Sequence, residues 1–211
     1  MCTFAAMQIP ITWQTVTLQH ETISLYVPDA GAVKTAYAEG KITSPYWSQV
    51  WPAAKALAQF ILTNPSLLSS KSVLELGAGL GLPSLVAARF AASVQCTDVA
   101  KEAVEIVQAS AERLQLKNVY SSVLDWQQLP SDLRPDVLLL SDINYEPAAF
   151  VHLQAVVKAF LEEGTNVILS TPQRLVAKEF VLPLLQHCTY QEEQFVEHNG
   201  GQVPTAVLVL K

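Results

Sequence analysis

Three carboxylates stand where short apolar runs end: Glu75 in Val73-Leu74-Glu75-Leu76, Asp98 after Val94-Gln95-Cys96-Thr97, and Asp142 after Val137-Leu138-Leu139-Leu140-Ser141. Acids at the carboxyl ends of buried parallel strands are placed to hold a polar ligand, because that is where an open α/β sheet binds. Glu75 precedes the glycine-rich stretch Gly77-Ala78-Gly79-Leu80-Gly81, which runs into an apolar helical segment. Glycine lets the backbone turn sharply and lets a ligand approach the main chain without meeting a Cβ. The helix start beyond it offers free N–H donors and a partial positive charge. Two ligand classes use such a turn, the dinucleotides and S-adenosylmethionine. A dinucleotide site wants Gly-x-Gly-x-x-Gly, and the third slot holds Leu82 counted from Gly77 and Gly79, or Ser84 counted from Gly79 and Gly81. Glu75 would repel a pyrophosphate but can engage the amino group of S-adenosylmethionine. The methyl donor fits these residues better.

Asp98 follows the first glycine by about twenty residues, the spacing at which an acid accepts hydrogen bonds from both ribose hydroxyls. Its alternative role is a cap on the helix that follows. Asp125-Trp126 pairs a carboxylate with a flat aromatic face, a combination suited to adenine, whose rivals are a loop acid and a core tryptophan. Asp142-Ile143-Asn144-Tyr145 places an acid able to hold an incoming amine three residues before an aromatic able to wall a channel. A helix cap at Asp142 and a half-buried core ring at Tyr145 are the structural alternatives.

The elements that must position these residues are legible as alternating strands and helices. Strands are expected at Ser72–Leu76, Ser93–Thr97, Val119–Val123, Val137–Ser141 and Asn166–Ser170, with helical spacing at Val104, Val107, Ala111, Leu114 and at Leu153, Val156, Val157, Phe160. A helix is expected from Pro52 to Leu62, started by proline in its first turn and stopped at Asn64-Pro65. Uninterrupted apolar strands require a parallel sheet covered on both faces. Near the end, Tyr190–Val196 and Thr205–Leu210 flank Asn199-Gly200-Gly201, a hairpin turn signal. The fold class is therefore α/β, a Rossmann-like doubly wound seven-stranded sheet with a terminal antiparallel hairpin. Ahead of it, Thr15–Leu18 and Ile23–Val27 predict a short hairpin around Gln19-His20-Glu21, broken at Pro28-Asp29-Ala30-Gly31. The chain is expected to divide into an N-terminal β elaboration, residues 1–44, and the main α/β domain, residues 45–211.

The chain has 211 residues, of which 50% are hydrophobic and 15% charged, so it can bury a sizeable core. Its net charge of −6 disfavours a phosphate-backbone partner, and nucleic acid is not the expected substrate. Cys2, Cys96 and Cys188 have neither C-x-x-C nor metal-ligand spacing, so no metal is expected and a reduced cytoplasm is the simplest setting. Neither a signal peptide nor a membrane span is expected, and the chain is expected to be a monomer.

Three segments together resemble the seven-β-strand (class I) protein-lysine methyltransferases, in the branch that holds the electron-transfer-flavoprotein β-subunit lysine methyltransferase and its bacterial relatives. They are Pro45-Tyr46-Trp47-Ser48-Gln49-Val50-Trp51-Pro52, Lys71 through Gly81, and the acid-x-x-aromatic Asp142-Ile143-Asn144-Tyr145. Leu124-Asp125-Trp126 is similar to the wider family. The resemblance runs from about residue 45 to the chain end. It implies that Trp51 packs beside the cofactor, with Trp47 the lesser candidate and core packing the alternative for both. It also implies that Glu75, Gly77, Ala78, Gly79 and Gly81 cradle the amino-acid end of S-adenosylmethionine and that Asp98 holds the ribose. Asp125 and Trp126 would bound the adenine, and Asp142 and Tyr145 would form the acceptor site. The implied partner is a protein substrate such as a flavoprotein subunit, and the implied product is S-adenosylhomocysteine. Small-molecule N-methylation, methylation of a protein residue other than lysine, and a catalytically silent binding module remain as alternatives.

Overall fold

The computed structural model describes residues 9–19, 21–173 and 175–211; Cys2, His20 and Arg174 lie outside them. Strands β1 (Ile11–Leu18) and β2 (Glu21–Pro28) pair antiparallel in a sheet of their own, and helix α1 (Ala30–Ala38) follows. Helix α2 (Pro52–Thr63) precedes an alternation of β3 (Ser72–Leu76), α3 (Leu82–Ala87), β4 (Ser93–Asp98), α4 (Lys101–Arg113) and β5 (Val119–Val123). Then come β6 (Val137–Ser141), α5 (Phe150–Glu162), β7 (Asn166–Pro172), α6 (Leu175–Val181), β8 (Cys188–His198) and β9 (Gly201–Leu210). The main sheet has seven strands in the order β5-β4-β3-β6-β7-β9-β8. Pairing is parallel from β5 through β7, and β9 runs antiparallel to both β7 and β8. This is the Rossmann-like doubly wound seven-stranded sheet with a terminal antiparallel hairpin that the strand pattern predicts.

Every residue of β6 is buried, as a central parallel strand covered on both faces requires. Alternate residues feed opposite cores: Val73, Val137 and Leu139 pack with α2 residues Leu57, Phe60 and Ile61, while Leu74, Leu76, Leu138 and Leu140 pack with Leu153, Phe160 and Phe180. Helix α2 starts at Pro52 in its first turn and buries Ala53, Ala56, Leu57, Ala58, Phe60 and Ile61. Its alanines let it lie close to α3, β7 and β9. The β8–β9 turn has Asn199 at φ +51° and Gly200 at φ +77°, the left-handed pair that a two-residue hairpin needs.

Two helices depart from the sequence expectation. Pro28-Asp29-Ala30-Gly31 does break β2, but Asp29 also accepts the Ala32 N–H at 2.7 Å and so starts α1. The short polar side chain that ends one element caps the next. Helix α6 follows Pro172, between Asn166–Ser170 and Tyr190–Val196, where the sequence pattern predicts no element. Leu18, Leu25 and Val33 of the N-terminal segment are buried in the same core as α2 and α4.

The strand order reverses direction between β3 and β6: β3 connects outward to β4 on one side, and β6 lies on its other side. Such a switch point opens a crevice at the carboxyl ends of the two strands. The glycine turn and Asp142 both fall there.

Candidate active site

A cleft of about 250 Å³ lies at the carboxyl ends of β3, β4 and β6, and the segment from Ser44 to Ala54 contributes to its wall. Its lining includes Gly77 through Leu82, Asp98, Trp126, Asp142 and Tyr145, together with Tyr46, Trp47 and Trp51.

The turn is built around positive φ angles. Gly81 ends it at φ +69°, and a Cβ there would lie 2.8 and 2.9 Å from the two Val107 methyls and 3.1 Å from Cys96 Sγ. Gly79 at φ +56° faces the Trp47 carbonyl, 3.4 Å from where a Cβ would stand. Gly81→Ala is expected to cost about 2–5 kcal/mol, from left-handed strain of about 1–2 and overpacking of about 1–3. Urea unfolding reads this directly, and an unchanged midpoint would mean that Val107 and the turn yield freely.

Asp98 is nearly buried and brackets the turn. One carboxylate oxygen accepts the Gly79 N–H at 2.8 Å and the other accepts the Ala100 N–H at 2.9 Å. Burial pushes its carboxyl up, against the pull of these backbone donors. The N-cap of α4 is Ala100, so Asp98 braces the helix entry without being the cap itself. Each carboxylate oxygen has a further lone pair for a ligand hydroxyl.

Glu75 departs from the sequence expectation. It is 0% exposed and does not line the cleft. Its Oε2 accepts both the N–H of Ser84 at 3.0 Å and the hydroxyl of Ser84 at 2.5 Å. Burial raises its pKa to about 8, and the charge of Asp98 adds to the rise. Near neutral pH this side chain is mostly protonated, so it offers no negative charge to a ligand amino group. It pins α3 to β3 from behind the turn. Ser84, which spoils the dinucleotide pattern, is the residue that holds it.

Asp125 is absent from the cleft lining, while Trp126 is on it. The Asp125 carboxylate accepts the N–H of Gln127 at 2.9 Å, closing its own turn. Trp51 lines the cleft with its indole N–H donated to the Tyr46 carbonyl at 2.7 Å, and Trp47 is buried at 4% exposure against the glycine turn.

Asp142 adopts φ +53°, a left-handed conformation that short polar side chains tolerate and that clusters at functional sites. Its N–H donates to the Ser170 carbonyl at 3.0 Å. It caps no helix: the turn at Pro147 begins after Glu146, and α5 begins after Ala149. Tyr145 is 52% exposed, so it is not a core ring. It lies 5.5 Å, centre to centre, from the ring of Tyr46, which is also more than half exposed. Tyr46 belongs to the aromatic segment before α2, yet the sequence carried no signal that it meets Tyr145. Burial and the charges of Glu146, Asp98 and Asp142 raise the Tyr145 phenol, which stays protonated at neutral pH.

The family model for lysine methyltransferases matches residues 20–196. The chain belongs to the lysine methyltransferase family. The match reaches into the N-terminal hairpin, beyond the motifs that carried the resemblance. Among its relatives, the rat histone-arginine methyltransferase METTL23 is 33% identical over 128 residues, covering 58% of this chain and 57% of that protein. The rat electron transfer flavoprotein beta subunit lysine methyltransferase is 28% identical over 181 residues, covering 78% and 66%. The chain thus spans between about half and two thirds of the length of these two relatives. Among solved structures, the 16S rRNA N2 G1207 methyltransferase of T. thermophilus, in complex with AdoMet and guanosine, superposes with a TM-score of 0.60 at 18% identity, covering 93% of this chain and 50% of that one. Magnesium protoporphyrin IX methyltransferase from Synechocystis, with bound SAH, gives 0.56 at 15% identity, covering 75% and 82%. These two share the fold. Among the described residues no helix is long and apolar enough to cross a membrane.

Proposed function

We propose that this protein is an S-adenosylmethionine-dependent methyltransferase that methylates a lysine side chain of a protein. The observation that carries the reading is the meeting of Asp142 and Tyr145, beyond β6, with Asp98 and the glycine turn in one cleft. Membership of the lysine methyltransferase family and the protein acceptors in the names of its relatives support it. A flavoprotein subunit is the first protein to offer as acceptor. Residues 45–211 are the proposed catalytic domain and residues 1–44 an elaboration on it, in a monomer working in the cytoplasm.

The residues present fit the cofactor. Gly77, Gly79 and Gly81 hold positive φ and put a tight turn on the cleft lining, Asp98 keeps lone pairs for ribose hydroxyls, and Trp51 and Trp126 supply aromatic walls. When bound, S-adenosylmethionine supplies a methyl group on a positively charged sulfur. Asp98 holds the ribose, the main chain of Gly77 through Gly79 receives the amino-acid end, and Trp126 bounds the base. Glu75 acts at one remove, by holding α3 against the turn.

A lysine amine, with an ordinary pKa near 10.4, must give up a proton to solvent before it attacks. The carboxylate of Asp142 favours the ammonium form, so its role is to capture and orient the amine. Tyr145, paired with Tyr46, flanks the aliphatic stem and keeps water out. Alignment of this kind is the main protein contribution to a displacement reaction.

Asp142→Asn keeps the size and some hydrogen bonding but loses the charge. Methylation is expected to fall by about 10²-fold, with affinity for S-adenosylhomocysteine near wild type. Radiolabelled methyl donor and a cell lysate supply the assay, with label separated into macromolecular and small-molecule fractions and the modified residue identified by mass. Label confined to small molecules would overturn the protein-acceptor reading. Methylarginine in place of methyllysine would move the acceptor to the class named for METTL23.

A further inference from the structure

Beside the cleft lies a second hollow of about 670 Å³, bordered by β1, α2 and the end of β8. Gln14-Thr15-Val16-Thr17 and Phe195-Val196-Glu197-His198 line it without a gap. Successive strand residues point to opposite faces, so an unbroken run means that a strand edge, and not a face, borders the hollow. Among the described residues β1 pairs with β2 and with no other strand, and β8 pairs in the same way with β9.

The register identifies which main-chain groups of β1 point outward. Tyr26 donates its N–H to Ser110 Oγ at 3.0 Å and not to β1, so Trp13 and Tyr26 are a non-hydrogen-bonded pair. Antiparallel pairs alternate, which gives the same status to Thr15↔Ser24 and Thr17↔Thr22. The N–H and C=O groups of Trp13, Thr15 and Thr17 therefore point away from β2. The strand that carries them, Ile-Thr-Trp-Gln-Thr-Val-Thr-Leu, has no charged residue and no proline, the usual guards of an open edge.

The hollow adjoins the cleft: Gln49 and Val50 line both, and the ring of His198 lies 6.1 Å from that of Trp51. Its remaining lining is rich in amides, including Gln19, Gln59, Asn199 and Gln202. Among the described lining residues Lys55 is the sole lysine or arginine, and its Nζ donates to the Glu197 carbonyl at 3.2 Å.

We propose that this hollow holds an extended segment of the acceptor protein, added as a strand to the outer edge of β1 and passing Gln49 and Val50 into the cleft. The proposal rests on the protein-methylating reading above and names how the acceptor is held. A polypeptide is favoured over an RNA strand, because one engaged lysine on a chain of net charge −6 cannot neutralise a run of phosphates. Strand addition takes its affinity from main-chain hydrogen bonds and asks little of the added sequence.

The test uses the full chain and a pool of synthetic lysine-centred peptides. Thr15→Pro deletes one outward N–H that β2 does not use, at an edge position where proline is tolerated. Thr15→Val keeps that N–H and serves as the control. For Thr15→Pro the KM for the pool is expected to rise at least tenfold, with kcat and S-adenosylhomocysteine affinity near wild type, while Thr15→Val behaves as wild type. Adding the pool should also slow amide exchange at Thr15 and Thr17. Equal KM for both variants, or no slowing of exchange, overturns strand addition and leaves the methyltransferase reading standing. Wild-type protein that labels lysate proteins but no peptide of the pool also removes the extended segment as occupant. Label confined to small molecules removes both readings. A dimer that Thr15→Pro dissociates would assign the edge to a second copy, competition by an RNA oligonucleotide would assign it to nucleic acid, and protection already complete without peptide would assign it to this chain itself.

Discussion

Asp98→Ala is expected to weaken binding of S-adenosylhomocysteine by about 10²- to 10⁴-fold in calorimetry. Two charge-assisted hydrogen bonds to ribose hydroxyls, at about 1.5–3 kcal/mol each, are lost together, and each 1.4 kcal/mol is a factor of ten. The same change strips the acceptors from the N–H groups of Gly79 and Ala100, so the turn and the α4 entry loosen as well. Asp98→Asn separates the two effects. Its amide oxygen still accepts one of these backbone bonds, so most of the stability should remain while the ribose loses its charged partner. If Asp98→Asn binds the product as tightly as wild type, Asp98 is a brace for the turn and the ribose must be held elsewhere.

A second large effect concerns pH. Glu75 titrates near 8 in the folded protein, raised from 4.5 chiefly by burial. Between these values the folded state holds a proton that the unfolded chain releases. The contribution of Glu75 to stability is therefore fully present below about pH 4.5 and is lost as pH rises through about 8. At about 1.4 kcal/mol per pH unit, the loss across that window is on the order of 5 kcal/mol. Glu75→Gln keeps the shape and cannot ionise. Relative to wild type it should gain stability steadily from pH 5 to pH 8 in urea unfolding, and the gain should level off above that. Parallel curves for the two proteins would mean that Glu75 is ionised throughout. A full loss of folding in Glu75→Ala with near-normal folding in Glu75→Gln would agree with a clamp on Ser84 made by a neutral side chain.

Much of this protein was determined by short stretches of its sequence. The glycine turn, the five parallel strands, the Asn199-Gly200 hairpin and the α2 start at Pro52 were legible because each follows from local causes. Positive φ favours glycine and asparagine, proline suits a first helical turn, and continuous apolar runs must be covered on both faces. The acids at the carboxyl ends of β4 and β6 were legible too, since strand ends on one edge of a parallel sheet converge without knowledge of side-chain packing. The sequence motifs were enough to suggest the family to which the chain belongs.

Tertiary structure decided what each of these groups touches. Glu75 shares the parity of Val73, so it points into the α3 side of the sheet, where Ser84 meets it; residue type and spacing could not choose that face. Asp125 turned to its own backbone, because a short carboxylate reaches the N–H two residues on more readily than a distant ligand. Tyr46 and Tyr145 meet across the cleft mouth from segments far apart in the chain. The second hollow needs β1, α2 and β8 together, and no window of sequence contains all three. Local chemistry set the elements and their ends; the register between strands set which polar groups reach solvent, ligand or one another.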